Sequence, residues 1–142
     1  MVLVTEEVDM GACDFVQLGF CDKKEQPRDA FAFAVSEAQY ESGHGGYSGT
    51  IAEKGSFVGI PMGDDDMELG LRHVIDKVSF AVNYCDEPDA DAWVKRTSDK
   101  VDDKWGPAGC VELRGKALRE ALKRCRKTLE CRAFVFFGLA SS

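Results

Sequence analysis

The sequence predicts a single α+β domain with a mainly antiparallel sheet and two to four helices. Three observations carry this. Short apolar runs at 12–20, 108–113 and 131–140 interleave with amphipathic stretches in a chain of only 142 residues. Lys54-Gly55-Ser56 reads as the turn of a hairpin, which pairs strands antiparallel. An all-parallel sheet would demand a crossover between every strand pair, and a chain this short leaves little room for them.

Taken in order, "ACDFVQLGF" (12–20) reads as a strand, with Phe15, Gln17 and Gly19 alternating against Val16, Leu18 and Phe20. The next segment turns and enters a helix. Pro27 suits its first turn because a missing N–H costs nothing there, and Asp29 favours the positive helix end. Phe31, Ala34, Val35 and Ala38 keep helical spacing, and Gly43 is a natural stop. "GTIAEKGSFVGIP" is expected to form two short strands around its glycine turn. "DDDMELGLRHVIDKVS" opens on three aspartates and continues through Met67, Leu71, Val74, Ile75 and Val78, predicting one helix. "FAVNYC" is either a strand or the tail of that helix. Residues 86–106 read as a short exposed helix and a loop. "AGCVEL" (108–113) is a strand. "RGKALREALKRCRKTLE" is the clearest amphipathic helix, with Leu118, Leu122, Cys125 and Leu129 on one stripe. "CRAFVFFGLA" is so continuously apolar that it predicts a strand at the centre of the sheet.

Hydrophobic residues make up 44% of the chain and charged residues 30%, enough for a core and for solubility. No run is long enough to span a membrane. The first residues lack a basic stretch followed by an apolar one, so the cytoplasm is the expected location. The six cysteines, at 13, 21, 85, 110, 125 and 131, include no Cys-x-x-Cys pair, and neither histidine lies near them in sequence. A structural zinc site usually shows a close ligand pair, so free, mostly buried thiols are expected, and no metal or cofactor. The net charge of −7 is unevenly distributed. Residues 114–132 hold eight bases and two acids, which leaves −13 for the rest of the chain.

"ESGHGGYSGTIAEK" (41–54) asks for an explanation first. Its glycines match neither the dinucleotide-binding fingerprint nor the P-loop. They also follow a helix, whereas phosphate loops feed a helix N-terminus. A helix cap with a wide turn is the favoured reading. The functional alternative brings His44, Tyr47, Ser48 and Thr50 around a small polar ligand, with glycines permitting close approach. His44 as general acid/base would make the protein a small hydrolase, but no nucleophile-elbow frame surrounds Ser48.

Asp64, Asp65 and Asp66 head three acidic clusters that lack the EF-hand pattern. As an acidic face they can occupy the basic groove of a protein partner; as a solvated face they keep the chain soluble, which is the favoured reading. The acidic majority disfavours nucleic-acid binding. The bases of 114–132 are expected to pair within the molecule or between copies, or to meet a phosphate. In "DKWGPAGC" (103–110), Trp105 stands on a rigid turn, where it caps the core or walls a ligand pocket.

"EAQYESGHGGYSGTIAEK", "DKWGPAGC" and "FVFFGLASS" together resemble three blocks of a group of short proteins carried by phages, plasmids and bacterial genomes. The last block departs from the pattern at Leu139, where an aromatic is expected. The resemblance implies that the three blocks meet in space around loop 43–50, turn 103–109 and the last strand. It supplies no substrate or mechanism. The combined expectation is a small cytoplasmic binding protein, a homo-oligomer, serving as a phage or mobile-element accessory factor. It would act on a host component through the Asp64–Asp66 face, or hold a small polar or phosphorylated ligand with His44, Tyr47, Ser48, Thr50 and Trp105.

Overall fold

The computed structural model describes residues 11–43, 48–84 and 89–142. Its strands are β1 (Ala12–Asp22), β2 (Phe57–Gly59), β3 (Ala108–Glu112) and β4 (Cys131–Ser141). Its helices are α1 (Pro27–Ser42), α2 (Asp64–Glu68), α3 (Leu71–Val82), α4 (Ala92–Val101) and α5 (Gly115–Arg124). A 3-10 turn spans Ile51–Glu53. The strand order is β1-β4-β3-β2. β4 runs antiparallel to both neighbours, and β2 lies parallel to β3. The chain is thus a single α+β domain on a mixed, mostly antiparallel sheet.

β4 is central, as its unbroken apolar run predicts, because both of its faces are covered. Phe134, Phe136 and Ala140 point to one side, where they meet Ala30, Ala34 and Ala38 of α1 and Ile51 of the 3-10 turn. Ala133, Val135 and Phe137 point to the other, where they pack with Val74 and Val78 of α3, Val101 of α4 and Ala117, Ala121 and Leu122 of α5. α1 buries a row of alanines, Ala30, Ala34 and Ala38, so Ala34 and Ala38 of the expected face are buried while Phe31 and Val35 are only partly so. It lies so close to the sheet that a Cβ on Gly19 would meet the Ala30 carbonyl oxygen at 2.7 Å and the Phe136 ring at 2.6 Å. Phe31 flanks that row and stacks edge-on against Phe136, with ring centres 5.5 Å apart.

The helix ends follow local chemistry. The Gln26 N–H donates to Asp29 Oδ2 at 2.8 Å, and Pro27 begins α1. α1 ends at Gly43, which has φ +83° and donates to the Gln39 carbonyl at 2.8 Å. Asp91 Oδ1 caps α4 through the Val94 N–H at 2.9 Å.

Four expectations are corrected. The hairpin at 54–56 does not form: its first arm is the 3-10 turn, held by Thr50, and its second is β2, which pairs in parallel with β3. The helix over 64–79 is two helices, because Gly70 adopts φ +105° and redirects the chain between α2 and α3. The helix over 92–101 is not merely an exposed one, since Val94, Thr97, Ser98 and Val101 are buried. The basic helix stops at Arg124: Arg126 takes φ +55° and the Lys127 N–H reaches back to the Leu122 carbonyl at 2.8 Å. Leu129 therefore leaves the apolar stripe and is 71% exposed. Of the "FAVNYC" segment, residues 80–82 form the tail of α3, which runs to Val82, and Cys85 lies outside the described residues.

Candidate functional site

Segments 48–54, 103–106 and 141–142 converge at one end of the sheet. The Gly49 N–H donates to the Ser141 carbonyl at 2.8 Å. Thr50 Oγ1 accepts the Ala52 N–H at 3.2 Å and so starts the 3-10 turn. Glu53 Oε2 reaches back to take the Ser48 N–H at 3.0 Å and the Ser48 hydroxyl at 2.7 Å. Ser48 Oγ and Thr50 Oγ1 are 2.8 Å apart. Two hydroxyls in the glycine-rich block are thereby committed to folding their own loop.

The next residue, Lys54, is only 5% exposed. Its Nζ donates to the carbonyls of Asp103, Lys104 and Gly106 at 3.2, 3.1 and 2.9 Å. A buried ammonium requires such partners, because each of its donors would otherwise lose a water without replacement. Burial lowers its pKa from the ordinary lysine value, and the Asp103 carboxylate opposes that shift. Lys54 thus clasps the 103–106 turn to the 3-10 turn.

The clasped turn is also tied from within. Asp103 Oδ1 accepts the Trp105 N–H at 2.9 Å, and the Asp103 carbonyl accepts the Gly106 N–H at 2.9 Å. Lys104 Nζ donates to the Gly11 carbonyl at 3.2 Å and lies 5.3 Å from the centre of the Trp105 ring. Trp105 itself does not cap the core: it is 68% exposed. The result is a 68% exposed aromatic residue on a firmly held turn.

His44 and Tyr47 lie outside the described residues, so their expected roles rest on the sequence alone. Ser48 and Thr50 are brought together, and Trp105 stands on the turn that Lys54 joins to them. Asp64, Asp65 and Asp66 are divided. Asp64 pairs with Arg114 at 3.0 Å, and Asp65 is exposed. Asp66 turns inward, with Oδ1 2.8 Å from His73 Nε2 and Oδ2 3.0 Å from Lys77 Nζ. Burial raises its pKa, but the hydrogen bonds from His73 and Lys77 outweigh burial and hold the carboxyl below its ordinary value. Lys77 also lies 5.0 Å from the centre of the Trp93 ring. An open cleft of about 730 Å³ between α3 and α4 exposes this cluster together with Asp89 and Phe80.

Sequence reasoning missed Lys54, Glu53, His73 and Lys77. For His73 and Lys77 a signal existed, since a spacing of 4 brings both to one side of α3, whereas Asp66 reaches them from α2 across the break at Gly70, which periodicity does not show. Lys54 gave none, because a lysine beside glycine in a polar stretch reads as solvated. The described cysteines are all free. Burial pushes the Cys110 thiol up to about 12, with Glu112 adding to the rise. Among the described residues no group of His, Cys, Asp and Glu could hold a metal ion, and no helix is long and apolar enough to cross a membrane.

The fold and this end of it define a single α+β domain that displays a braced aromatic turn. No family model, curated protein or solved structure matches the chain.

Proposed function

We propose that the protein works by binding, and that its docking surface is centred on Trp105. The observation that carries this reading is a 68% exposed tryptophan held by a buried lysine. A large ring in water gains free energy when a partner covers it, and a turn already fixed loses little entropy on docking. A protein partner suits this geometry better than a small polar ligand, because the Ser48 and Thr50 hydroxyls are committed to Glu53 and Ala52. It also suits it better than docking through an acidic face, since Asp64 pairs with Arg114 and Asp66 with Lys77. The resemblance of the three blocks to proteins of phages, plasmids and bacterial genomes supports the role of a mobile-element accessory factor. In that role the protein sequesters or inhibits a host component in the cytoplasm, as a homo-oligomer.

Affinity capture from a bacterial lysate tests this with three baits: the wild type, Trp105→Ala, and a variant carrying Asn at 64, 65 and 66. A protein held by the wild type and the Asn variant but lost from Trp105→Ala is the expected result. Loss from the Asn variant alone would transfer the role to the acidic face. Undiminished capture by both variants would refute both surfaces. Native mass spectrometry of the gently purified chain checks the remaining reading, a small ligand that adds mass until denaturation.

A further inference from the structure

β1 forms an edge of the sheet, with β4 as its neighbour. Which of its backbone groups face outward follows from the register. Gly11 accepts from the Ser142 N–H at 2.9 Å, and the Lys23 N–H donates to the Glu130 carbonyl at 3.0 Å. The odd-numbered residues therefore carry the ladder to β4. Asp14, Val16, Leu18 and Phe20 direct their N–H and C=O groups away from the sheet. A groove of about 620 Å³ runs over this edge, walled by Phe33, Glu37 and Glu41 on the α1 side and by Ile75, Arg124 and Lys127 on the other.

Natural edge strands are usually guarded by proline, lysine, a bulge or a very short length. β1 has none of these safeguards. It pairs without interruption from Ala12↔Ser141 to Asp22↔Cys131, and its 11 residues include no Pro or Lys. Among the described residues no further strand pairs with its outer side, and its charged residues, Asp14 and Asp22, lie near its two ends.

The charges along the groove indicate which strand. α1 runs back along β1, with Gln17 Nε2 donating to the Ala34 carbonyl at 3.3 Å, so Glu37 and Glu41 flank the residues before Gln17. Asp14 adds to that acidic end. The opposite end is basic: Lys127 Nζ lies 5.5 Å from the Phe20 ring and 5.1 Å from the Phe33 ring, Arg124 stands beside it, and Lys23 and Lys24 follow the strand. A strand that fits must carry the same polarity and run in the opposite direction. β1 itself meets that requirement.

We infer that β1 pairs antiparallel with β1 of a second copy, about a two-fold axis near Gln17, joining two four-stranded sheets into one. The acidic end of each groove then faces the basic end of the other. The pairing depends on β1 and not on Trp105, so either reading can fail alone.

Light scattering on the full chain tests the pairing. The wild type is expected at twice 15.6 kDa. The double reversals Glu37→Arg/Glu41→Arg and Arg124→Glu/Lys127→Glu each bring like charges together, and each is expected to weaken self-association at least about tenfold. Mixing the two variants restores the dimer, because both junctions of the mixed pair are again complementary. Asp14→Pro removes one outward N–H and leaves the β4 ladder intact, so it weakens the dimer in a chain that circular dichroism shows to be folded. Four outcomes would overturn the inference: a monomeric wild type, dimers that survive both reversals, a mixture of folded variants that stays monomeric, or a foreign strand on the edge of a monomeric chain.

Discussion

Lys54→Met removes the ammonium that clasps the 103–106 turn while keeping a straight apolar chain in its place. Three hydrogen bonds from a charged donor are lost, at 3.2, 3.1 and 2.9 Å. Hydrogen bonds to a charged group contribute about 1.5–3 kcal/mol each, but burying the ammonium costs part of that sum, and water can reach some of the freed carbonyls. We expect a net loss of about 2–4 kcal/mol. For a domain of this size that lowers the melting temperature by roughly 6–12 °C, which circular dichroism would show. In a Trp93→Phe background, fluorescence anisotropy reports Trp105 alone, and it should fall as the turn loosens. A melting temperature within about 2 °C of the parent, with unchanged anisotropy, would refute the clasp.

Gly70→Ala is expected to cost about 2–3 kcal/mol in urea unfolding, because φ is +105° there and a Cβ would sit 2.5 Å from Glu120 Oε1, which accepts the Leu71 N–H. A change below about 0.5 kcal/mol would show that α3 does not need this cap. Asp66 is held below its ordinary value, so the unfolded chain binds its proton more tightly. Its contribution is complete above the ordinary value of 3.8 and is lost as the pH falls through the lowered one. Asp66→Asn should therefore cost about 1 kcal/mol at neutral pH, with the difference closing in acid; a difference constant down to about pH 2 would contradict this. Cys110, buried and pushed up to about 12, should resist thiol labelling at pH 8 until unfolding, while exposed Cys13 reacts at once. Mass spectrometry of labelled peptides distinguishes the two.

Much of the architecture is legible in the sequence because it rests on local signals. The continuous run at 131–140 predicts a doubly covered strand, and the structure centres the sheet on it. Pro27, Asp29 and Gly43 mark both ends of α1. Two of the failures share a cause, which is that the deciding partner lies far away in the chain. Gly70 breaks a helical pattern that periodicity carries straight through, and Glu120, 49 residues beyond Leu71, accepts the Leu71 N–H and supplies the cap that makes the break tolerable. Nothing near Gly55 reveals that the strand after it pairs with β3 rather than with its own preceding residues. The basic helix ends on Arg126 without a glycine to announce it.

By itself the sequence determined the α+β class, the central strand, the ends of α1 and the separation of charge between the 114–132 segment and the rest. These follow from periodicity, capping chemistry and composition, all of which act over a few residues. Only the tertiary structure decided which polar groups are already committed and which remain for a partner. The sequence offers Ser48 and Thr50 to a ligand and Asp64 and Asp66 to a partner, and folding engages each of them with Glu53, Ala52, Arg114, His73 or Lys77. Trp105 reads as a core cap or a pocket wall, and folding leaves it 68% exposed. Burial and hydrogen bonding across the chain depend on where distant segments meet, and no window of neighbouring residues contains that information.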